Sequence, residues 1–292
     1  LGAVLSCFAQ RSDAHSAWAL TGGIRVNRVS LFRAFALNCQ PLIETRCLVS
    51  MAKSSKSLNP QAVLRMAPAM STRDRILDAA LRLFNEKGER NISTNHICTE
   101  LGISPGNLYY HFRNKSEIVF ALFEVYRQRF EQVLRVPVDR TLTYVDKVGY
   151  FEAIFEAMWE HRFLHRDMEH LLAESEAFCE AYRAFARDAV RDGRRILQAL
   201  TDAGMLVANK EQLDELIVNI WVIITAWSGF LQAVALPDQR NGALNRSRLK
   251  RGIYQIMCLE EPFLSEEVKA KLPALKAEYL DGGVTDPLSL FL

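Results

Sequence analysis

A short segment of the chain carries polar, aromatic and basic side chains at a spacing that places them on one helix. They are Asn107, Tyr109, Tyr110, His111, Arg113 and Lys115. Amides and hydroxyls hydrogen-bond to base edges, and cations attract phosphates, so this set suits a groove of duplex DNA. The alternative is that both tyrosines belong to a protein core, but two adjacent residues of so short a helix are rarely both buried. We therefore interpret the segment as a DNA-contacting surface.

The residues around this segment predict two short helices joined by a tight turn. Gly102 is expected to end the first helix, because glycine adopts the left-handed conformation most easily. Ser104 suits the N-cap of the second helix, and Pro105 fits its first position, where no N–H is needed. A helix over residues 105–112 is too short to be stable alone, so its neighbours must hold it. Phe112 and a set of spaced apolar residues form the expected core: Ile97, Cys98, Leu101, Ile103 and Leu108. This pattern predicts a helix-turn-helix.

The run LGIS-PGNLYYHFRNKSEIV resembles the DNA-binding signature of the tetracycline-repressor (TetR) family of bacterial regulators. The preceding TRDRILDAALRLFNEKG resembles the first helix of that family, so the likeness covers about residues 72–123. It implies an all-α fold with an N-terminal helix-turn-helix head, residues 71–117. It also implies a C-terminal helical domain for effector binding and dimerisation, residues 118–261, followed by a tail, residues 262–292.

The resemblance also assigns residues to the DNA contact. They are Thr94, Asn95, Ser104, Pro105, Gly106, Asn107, Tyr109, Tyr110, His111 and Lys115. The residues expected at phosphates are Tyr110, His111 and Lys115. The residues expected nearest the bases are Asn95, Pro105, Gly106 and Asn107.

Hydrophobic periodicity predicts helices along the rest of the chain, without an alternating run that would indicate a sheet. The predicted ranges are 72–87, 116–136, 143–159, 163–173, 174–203, 212–236, 244–259 and 266–280. Ser71 or Thr72 is expected to cap the first of them, and Gly88 to end it. By resemblance to the family, the helix over 116–136 would connect the head to the rest of the molecule, so that its tilt moves the recognition helix. The helix over 266–280 is expected to be loosely attached and to be followed by disorder.

Residues 1–70 differ from the remainder in composition. They are rich in Arg and Ser and contain only Asp13 and Glu44 as acids, which is typical of an organellar transit peptide. The preferred interpretation is an upstream start assignment, because Met70 and the residues after it resemble a natural start for the family. A genuine flexible basic arm is the alternative.

Net charge and cysteine spacing narrow the classes of function. The chain has 292 residues and a formal net charge of +2, so nucleic-acid binding must come from a local patch. The six cysteines show no CxxC spacing, so neither a zinc site nor a disulfide framework is indicated, and no cofactor is expected. A metal-like cluster comprises His161, His165, Asp167, Glu169 and His170, but the neighbouring Arg162 and Arg166 disfavour a bound cation. A polar helix face or pocket rim is the preferred interpretation, with no metal.

The segment 216–236 is nearly apolar and about long enough to cross a bilayer. Polar and small residues interrupt it: Asn219, Thr225, Ser228, Gly229 and Gln232. A helix that is apolar all round is also typical of a buried core, and we prefer that interpretation to a membrane span. By resemblance, residues 212–236 and 244–259 would pair with a second copy of the chain in a four-helix bundle.

Aromatic residues of the C-terminal domain are candidates for an effector pocket. They are Phe151, Phe155, Trp159, Phe178, Tyr182, Trp221 and Trp227. For each one separately a plain core position is the preferred interpretation, and the family resemblance implies that some of them face a ligand. No nucleophile elbow, phosphate-binding glycine loop or H-E-x-x-H motif indicates catalysis. The sequence therefore predicts a cytoplasmic, nucleoid-associated one-component regulator. It would be a repressor that binds a near-palindromic operator as a homodimer and is released by a small apolar effector. The alternatives are an architectural or cell-division factor without an inducer, and an all-helical enzyme.

Overall fold

The computed structural model describes residues 70–235 and 244–280, and helices connected by turns dominate both stretches. The only β-type pairing in these stretches is an isolated bridge between Leu206 and Leu264. The predicted all-α class is therefore confirmed. The expectations for residues 1–69 and for the chain beyond 280 lie outside the described residues.

Ten α-helices occur in the described part of the chain, and we number them in order. They are α1 (Thr72–Lys87), α2 (Thr94–Leu101), α3 (Pro105–His111), α4 (Lys115–Val133), α5 (Tyr144–Glu160), α6 (Arg162–Glu174), α7 (Glu176–Asp202), α8 (Lys210–Val234), α9 (Arg246–Glu260) and α10 (Glu266–Ala277). Short 3₁₀ turns lie at Glu89–Asn91 and Glu261–Phe263. Below, the head is α1 to α3, and the body is α5 to α9. Helix α4 runs between them and ends three residues earlier than predicted, where Leu134 leaves the helical conformation.

Local capping chemistry sets the boundaries of the head helices. Ser71 caps α1 by accepting a hydrogen bond from the N–H of Asp74 at 3.2 Å. Ser104 caps α3 in the same way, accepting from the N–H of Asn107 at 3.2 Å. Gly102 ends α2 with a φ of 63°, as predicted, because a side chain at that φ would be strained. These helix ends follow from residue types that act over three or four positions.

Buried apolar side chains hold the head together. Ile76, Phe84, Ile97 and Leu108 are fully buried, and Phe112 is 3% exposed, which confirms its predicted place in the core. Leu108 is the only buried side chain of α3. The short helix is therefore fastened to α1 and α2 mainly through this leucine and the phenylalanine that follows it.

Two glycines permit close packing in the body. A Cβ at Gly252 of α9 would come within 2.6 Å of the ring of Phe155 in α5. A Cβ at Gly193 of α7 would come equally close to Ile217 in α8. The absence of side chains at these positions lets α9 approach α5 and α7 approach α8, which closes the core of the body.

Helix α10 is packed onto the body, so the expectation of a loosely attached helix is wrong. Val268 and Leu272 are buried in this region, and so is Tyr279 just beyond the helix. The hydroxyl of Tyr279 donates a hydrogen bond to Glu152 of α5 at 2.9 Å in a buried setting. The charged amphipathic pattern of α10 indicated a surface helix, but it did not show that the residue after the helix would reach the core.

Helix α8 is long and apolar enough to cross a membrane by length and composition, among the residues that the structure describes. The central helix of a folded domain meets the same criteria. Eight side chains of α8 are buried in the body: Leu213, Leu216, Ile217, Ile220, Ile224, Trp227, Ser228 and Leu231. One face of α8 therefore packs in the core of the body, while 33% of its most apolar stretch is buried in all.

The head contacts the body through α6 as well as through α4. Arg166 of α6 donates to the carbonyl oxygens of Phe84 at 2.5 Å and Asn85 at 3.3 Å, at the end of α1. The amide of Asn85 in turn donates to the carbonyl of Glu160 at 2.7 Å. A movement of α6 therefore acts directly on the first helix of the head.

Candidate nucleic-acid interface

Helix α3 presents most of its surface outward. The side chains of Tyr109 and Tyr110 are 49% and 86% exposed. Pro105, Gly106 and Asn107 are exposed as well. The possibility that both tyrosines are core residues is therefore excluded, because neither is buried. The predicted base-contacting residues of α3 are therefore all accessible to solvent.

The other predicted contact residues divide into exposed and positioning groups. Asn95 is exposed at the start of α2. Thr94 Oγ1 lies 3.3 Å from the hydroxyl of Tyr109, and this contact joins α2 to α3. Ser104 uses its hydroxyl to cap α3, and His111 packs edge-on against Tyr110 with ring centroids 5.0 Å apart. The hydroxyls of Thr94 and Ser104 thus make contacts within the head that position α3.

Lys115 is held by a carboxylate that sequence reasoning did not single out. Its Nζ lies 2.7 Å from Oε1 of Glu89 and donates to the carbonyl of Glu89 at 3.1 Å. The lysine side chain is 30% exposed, and the Glu89 side chain is 4% exposed. The expected phosphate-facing lysine is therefore engaged in an ion pair within the protein.

A cationic groove lies beside α3, and we call it the outer groove. Its lining residues are Arg90, Asn91, Ile92, Ser93, Thr94, Tyr109, Arg113, Asn114 and Lys115. The N-termini of α2 and α4 open at this groove, capped by Ser93 and Asn114. Helix N-termini and arginines attract anions, so the groove suits a phosphate. Sequence reasoning missed Arg90, although its position in the turn before α2 was a usable signal.

Two family models match the chain. The model described as "Bacterial regulatory proteins, tetR family" matches residues 76–122, and the one described as "Bacterial transcriptional repressor" matches residues 125–272. The solved structure of a TetR-family transcriptional regulator from Marinobacter aquaeolei VT8 is 41% identical, with a TM-score of 0.66. The match covers 72% of this chain and 99% of that chain. The chain belongs to the TetR family.

Curated relatives match over a smaller part of their length. An HTH-type transcriptional regulator of Staphylococcus aureus (strain bovine RF122 / ET3-1) is 46% identical over 56 residues, which is 19% of this chain and 30% of that protein. Another, from Staphylococcus aureus (strain USA300), is 39% identical over 69 residues, or 22% of this chain and 37% of that protein. The chain thus spans about a third of the length of these curated relatives. A solved SmeT–triclosan complex, 20% identical with a TM-score of 0.50, covers 68% of this chain and 94% of that chain and shows the shared fold. These relatives are transcriptional regulators and not enzymes, as predicted for this chain.

The body of this TetR-family protein encloses an apolar cavity of about 40 Å³. Two of the seven predicted pocket residues, Phe151 and Trp221, line this cavity. Phe130 and Leu134, from the end of α4, also line it. The same helix begins beside the outer groove, so it spans the distance between the cavity and the head.

The other five predicted pocket residues do not line this cavity. Phe178 and Tyr182 pack in an aromatic cluster around Phe123. The indole N–H of Trp227 donates to the carbonyl of Arg248 at 3.2 Å. Phe155 packs under Gly252, and Trp159 lies 4.7 Å from the guanidinium of Arg162. Helical periodicity did not separate these positions, because the body helices bury apolar residues toward several neighbours.

A buried ion pair lies at one side of the cavity. Lys147 of α5 pairs with Glu260 of α9, and their side chains are 3% and 0% exposed. The hydroxyl of Tyr144 donates to the same carboxylate at 3.2 Å. Burial lowers the pKa of Lys147, although the Glu260 carboxylate opposes that shift. The sequence signal for this pair is a lysine among the apolar residues of α5, which the periodicity alone does not interpret.

Two histidines of the metal-like cluster are shielded from solvent, with His161 buried and His165 half-buried. His161 is 3% exposed, so its assignment to a polar helix face or pocket rim is wrong. Nε2 of His165 lies 3.0 Å from the hydroxyl of Tyr126 in α4. Burial lowers the pKa of His161 and of His165 to about 4, so both imidazoles are neutral at pH 7. Among the described residues, no group of three His, Cys, Asp or Glu side chains is arranged to hold a metal ion.

Proposed function

We propose that this TetR-family regulator is a repressor that binds a near-palindromic operator as a homodimer and is released by a small apolar effector. The observation that carries the proposal is the exposed face of α3, with Asn107 and Tyr110 pointing to solvent. This face has the donors, acceptors and ring surfaces that base edges and phosphates require. Operator binding would place the protein at the nucleoid in the bacterial cytoplasm.

An outward stripe of α8 supports the proposed dimer. Val218 and Val222 are 53% and 54% exposed, and the small residues Ala226, Gly229 and Ala233 continue the exposed surface along the helix. Burial of this stripe against a second copy would remove apolar surface from water. Residues 212–236 and 244–259 of both copies would then form a four-helix bundle. Two recognition helices would reach successive major grooves about 34–36 Å apart.

The position of the cavity supports effector control. Its volume of about 40 Å³ is far below the roughly 300–1,000 Å³ of typical ligand pockets. An effector therefore has to displace the cavity walls, which include Phe130 of α4 and Leu134 directly after that helix. Displacing them would tilt α4 and shift α3. A ligand changes DNA binding only through different affinities for the two conformations.

The apolar lining favours an apolar effector, such as an acyl-thioester or another lipid-like molecule. The related SmeT has been solved in complex with triclosan. An architectural factor without an inducer is the remaining alternative. It would bind many sequences with similar affinity, and no small molecule would release it.

Selection of bound sequences from a random DNA pool tests the proposal. We expect enrichment of a two-fold symmetric site whose half-sites are about 10 base pairs apart, centre to centre. Retardation assays at several protein concentrations, with sizing of the complex, should show two subunits on one site. A pool without a preferred sequence after selection contradicts the operator and supports the architectural alternative.

Two substitutions separate positioning from base readout. Tyr110→Ala should lower affinity for all sequences by a similar factor, because a phosphate contact carries no sequence information. Asn107→Ala should change the preferred base at one position, with a discrimination loss of about 1–3 kcal/mol. Gln128→Ala, at an exposed position in α4, is the matched control and should change neither. Identical behaviour of the first two variants contradicts this division of roles.

A further inference from the structure

Lys115 lies between two recesses with different charge. On one side is the outer groove, which also carries Arg90 and Arg113. On the other side is a crevice of about 60 Å³ between the head and α6, which carries Glu89, His170 and Glu174. Lys115 lines both recesses, at the first residue of α4. A lysine side chain is long and flexible, so rotation about its own bonds can bring Nζ to either recess.

In the structure, the ammonium group occupies the inner position. Its Nζ is 2.7 Å from Oε1 of Glu89, and the second carboxylate oxygen, Oε2, is 3.7 Å from Nε2 of His170. Oε2 has no hydrogen-bond partner within the part of the chain that the structure describes. Glu89 is 3% exposed, so water does little to stabilise its charge. Lys115 is therefore the close cationic partner of a buried carboxylate.

Helix α6 of the body fixes the turn that carries this carboxylate. Asp167 accepts a hydrogen bond from the N–H of Glu89 at 3.2 Å. Arg166 holds Asp167 at 3.2 Å and donates to the carbonyl of Phe84 at 2.5 Å. The position of Glu89 relative to Lys115 thus depends on where α6 lies.

We propose that Glu89 competes with a DNA phosphate for Lys115, so that in the free protein a phosphate-binding cation is paired with a carboxylate of the head. The proposal rests on the operator binding proposed above. When a phosphate in the outer groove takes the lysine, Glu89 stays buried without its close cation, and the free energy of that state opposes DNA binding. Because α6 fixes Glu89, a movement of the body changes how firmly the lysine is held. Glu89 is a positioning residue that acts through Lys115 and does not itself touch DNA.

The test is Glu89→Gln in the full chain, with the selected operator as the probe. Glutamine keeps the shape of the side chain and its acceptor oxygen but removes the charge. We expect operator affinity to rise by about threefold to tenfold. A plot of log affinity against log salt concentration should also become steeper, by up to about 0.9, because Glu89 retains the lysine in part of the wild-type complexes, whereas in the variant the lysine neutralises a phosphate.

Two controls isolate the role of Lys115. Glu174→Gln removes the same formal charge from the same crevice, but the structure shows no contact between Glu174 and Lys115, and its side chain is 65% exposed. It should change affinity by less than about twofold. In a Lys115→Met background, Glu89→Gln should have no effect on affinity or on the salt slope.

Three outcomes overturn the inference while the proposed function stands. They are an unchanged salt slope, weaker operator binding by Glu89→Gln, and an equal gain when Lys115 is already Met. If Glu89→Gln does not fold, as judged by circular dichroism, Glu89→Asp retracts the carboxylate by one methylene and should shift affinity and slope in the same direction. A wild-type protein that binds DNA without sequence preference overturns the proposed function and this inference together.

Discussion

Helix α3 has seven residues and buries one side chain, whereas α7 has 27 residues and buries six. The head keeps its short recognition helix in place with few contacts and leaves the other side chains to solvent. In the body, most aromatic residues of the long helices pack against neighbouring helices instead of facing solvent. Function in the head therefore depends on which residues remain exposed, and function in the body depends on where packing leaves space.

Charged groups show the same difference. In the head, Arg90 and Arg113 are exposed, and the buried Glu89 is paired with the partly exposed Lys115. In the body, the Lys147–Glu260 pair is almost inaccessible to water. A surface group that loses its partner is solvated at once, but a buried one is not. We therefore expect the largest effects on stability from the body and the largest effects on DNA binding from the head.

The largest effect is expected where a buried charge is left alone. Lys147→Met removes the cation beside Glu260 and should lower the free energy of unfolding by about 3–5 kcal/mol. Combining it with Glu260→Gln removes both charges and should restore stability toward the wild-type value, because the double variant buries no unpaired ion. Urea unfolding followed by circular dichroism measures the stability of the single and of the double variant. A double variant as unstable as the single one would show that packing, and not charge, sets the loss.

The anchor of the recognition helix comes next. Leu108→Ala should lower the free energy that holds α3 against the rest of the head by about 2–5 kcal/mol, because it removes the only buried side chain of α3. Operator binding should be lost while the helical signal of the body remains. Leu101→Ala, at a half-buried position, is the control and should reduce binding less. Retardation assays and circular dichroism report the two properties, and a simultaneous loss of both would show that Leu108 supports the whole fold and not α3 alone.

Acid should destabilise the body more than the head. The folded-state pKa values of His161 and His165 are lowered to about 4, below the unfolded value of about 6.5. The unfolded state therefore binds more protons between these values, so stability is full above about pH 6.5 and falls as the pH is lowered toward 4. The free energy of unfolding should fall by about 2 kcal/mol per histidine between pH 7 and pH 5. Urea unfolding at the two pH values measures it.

A control in the head makes this acid effect specific. His165→Gln should remove part of the pH dependence, whereas His96→Gln, at an exposed position of α2, should leave it unchanged. Equal effects of the two substitutions would mean that His161 and His165 are not the source of the pH dependence of stability.

The smallest effect is expected at the cap of α3. Ser104→Ala removes the acceptor for the N–H of Asn107 and should cost about 0.5–2 kcal/mol. Operator affinity should fall slightly and by the same factor for all sequences, because the helix frays without losing a base contact. Ser116→Ala, at an exposed position in α4, is the matched control. A change in base preference on Ser104→Ala would assign that hydroxyl to direct readout instead.

Elements that depend on nearby residues were predicted well from the chain. The bounds of α1, Thr72–Lys87, agree with the prediction, because Ser71 caps the helix and Gly88 ends it within one turn of each end. The exposed face of α3 was predictable for the same reason, since a seven-residue helix with one anchor has few positions to bury. The assignment of pocket aromatics was much poorer. Two of the seven line the cavity, because an apolar residue on a body helix has several neighbours to face.

The sequence by itself determined the all-α class, the helix-turn-helix, its caps and the residues of its exposed face. These properties arise from interactions among residues three or four positions apart. Only the tertiary structure decided that Glu89 holds Lys115, that Glu260 neutralises Lys147, and that His161 is buried. The first two pairs join residues 26 and 113 positions apart. No local periodicity relates such positions, because their contact depends on how α4, α6 and α9 pack against their neighbours.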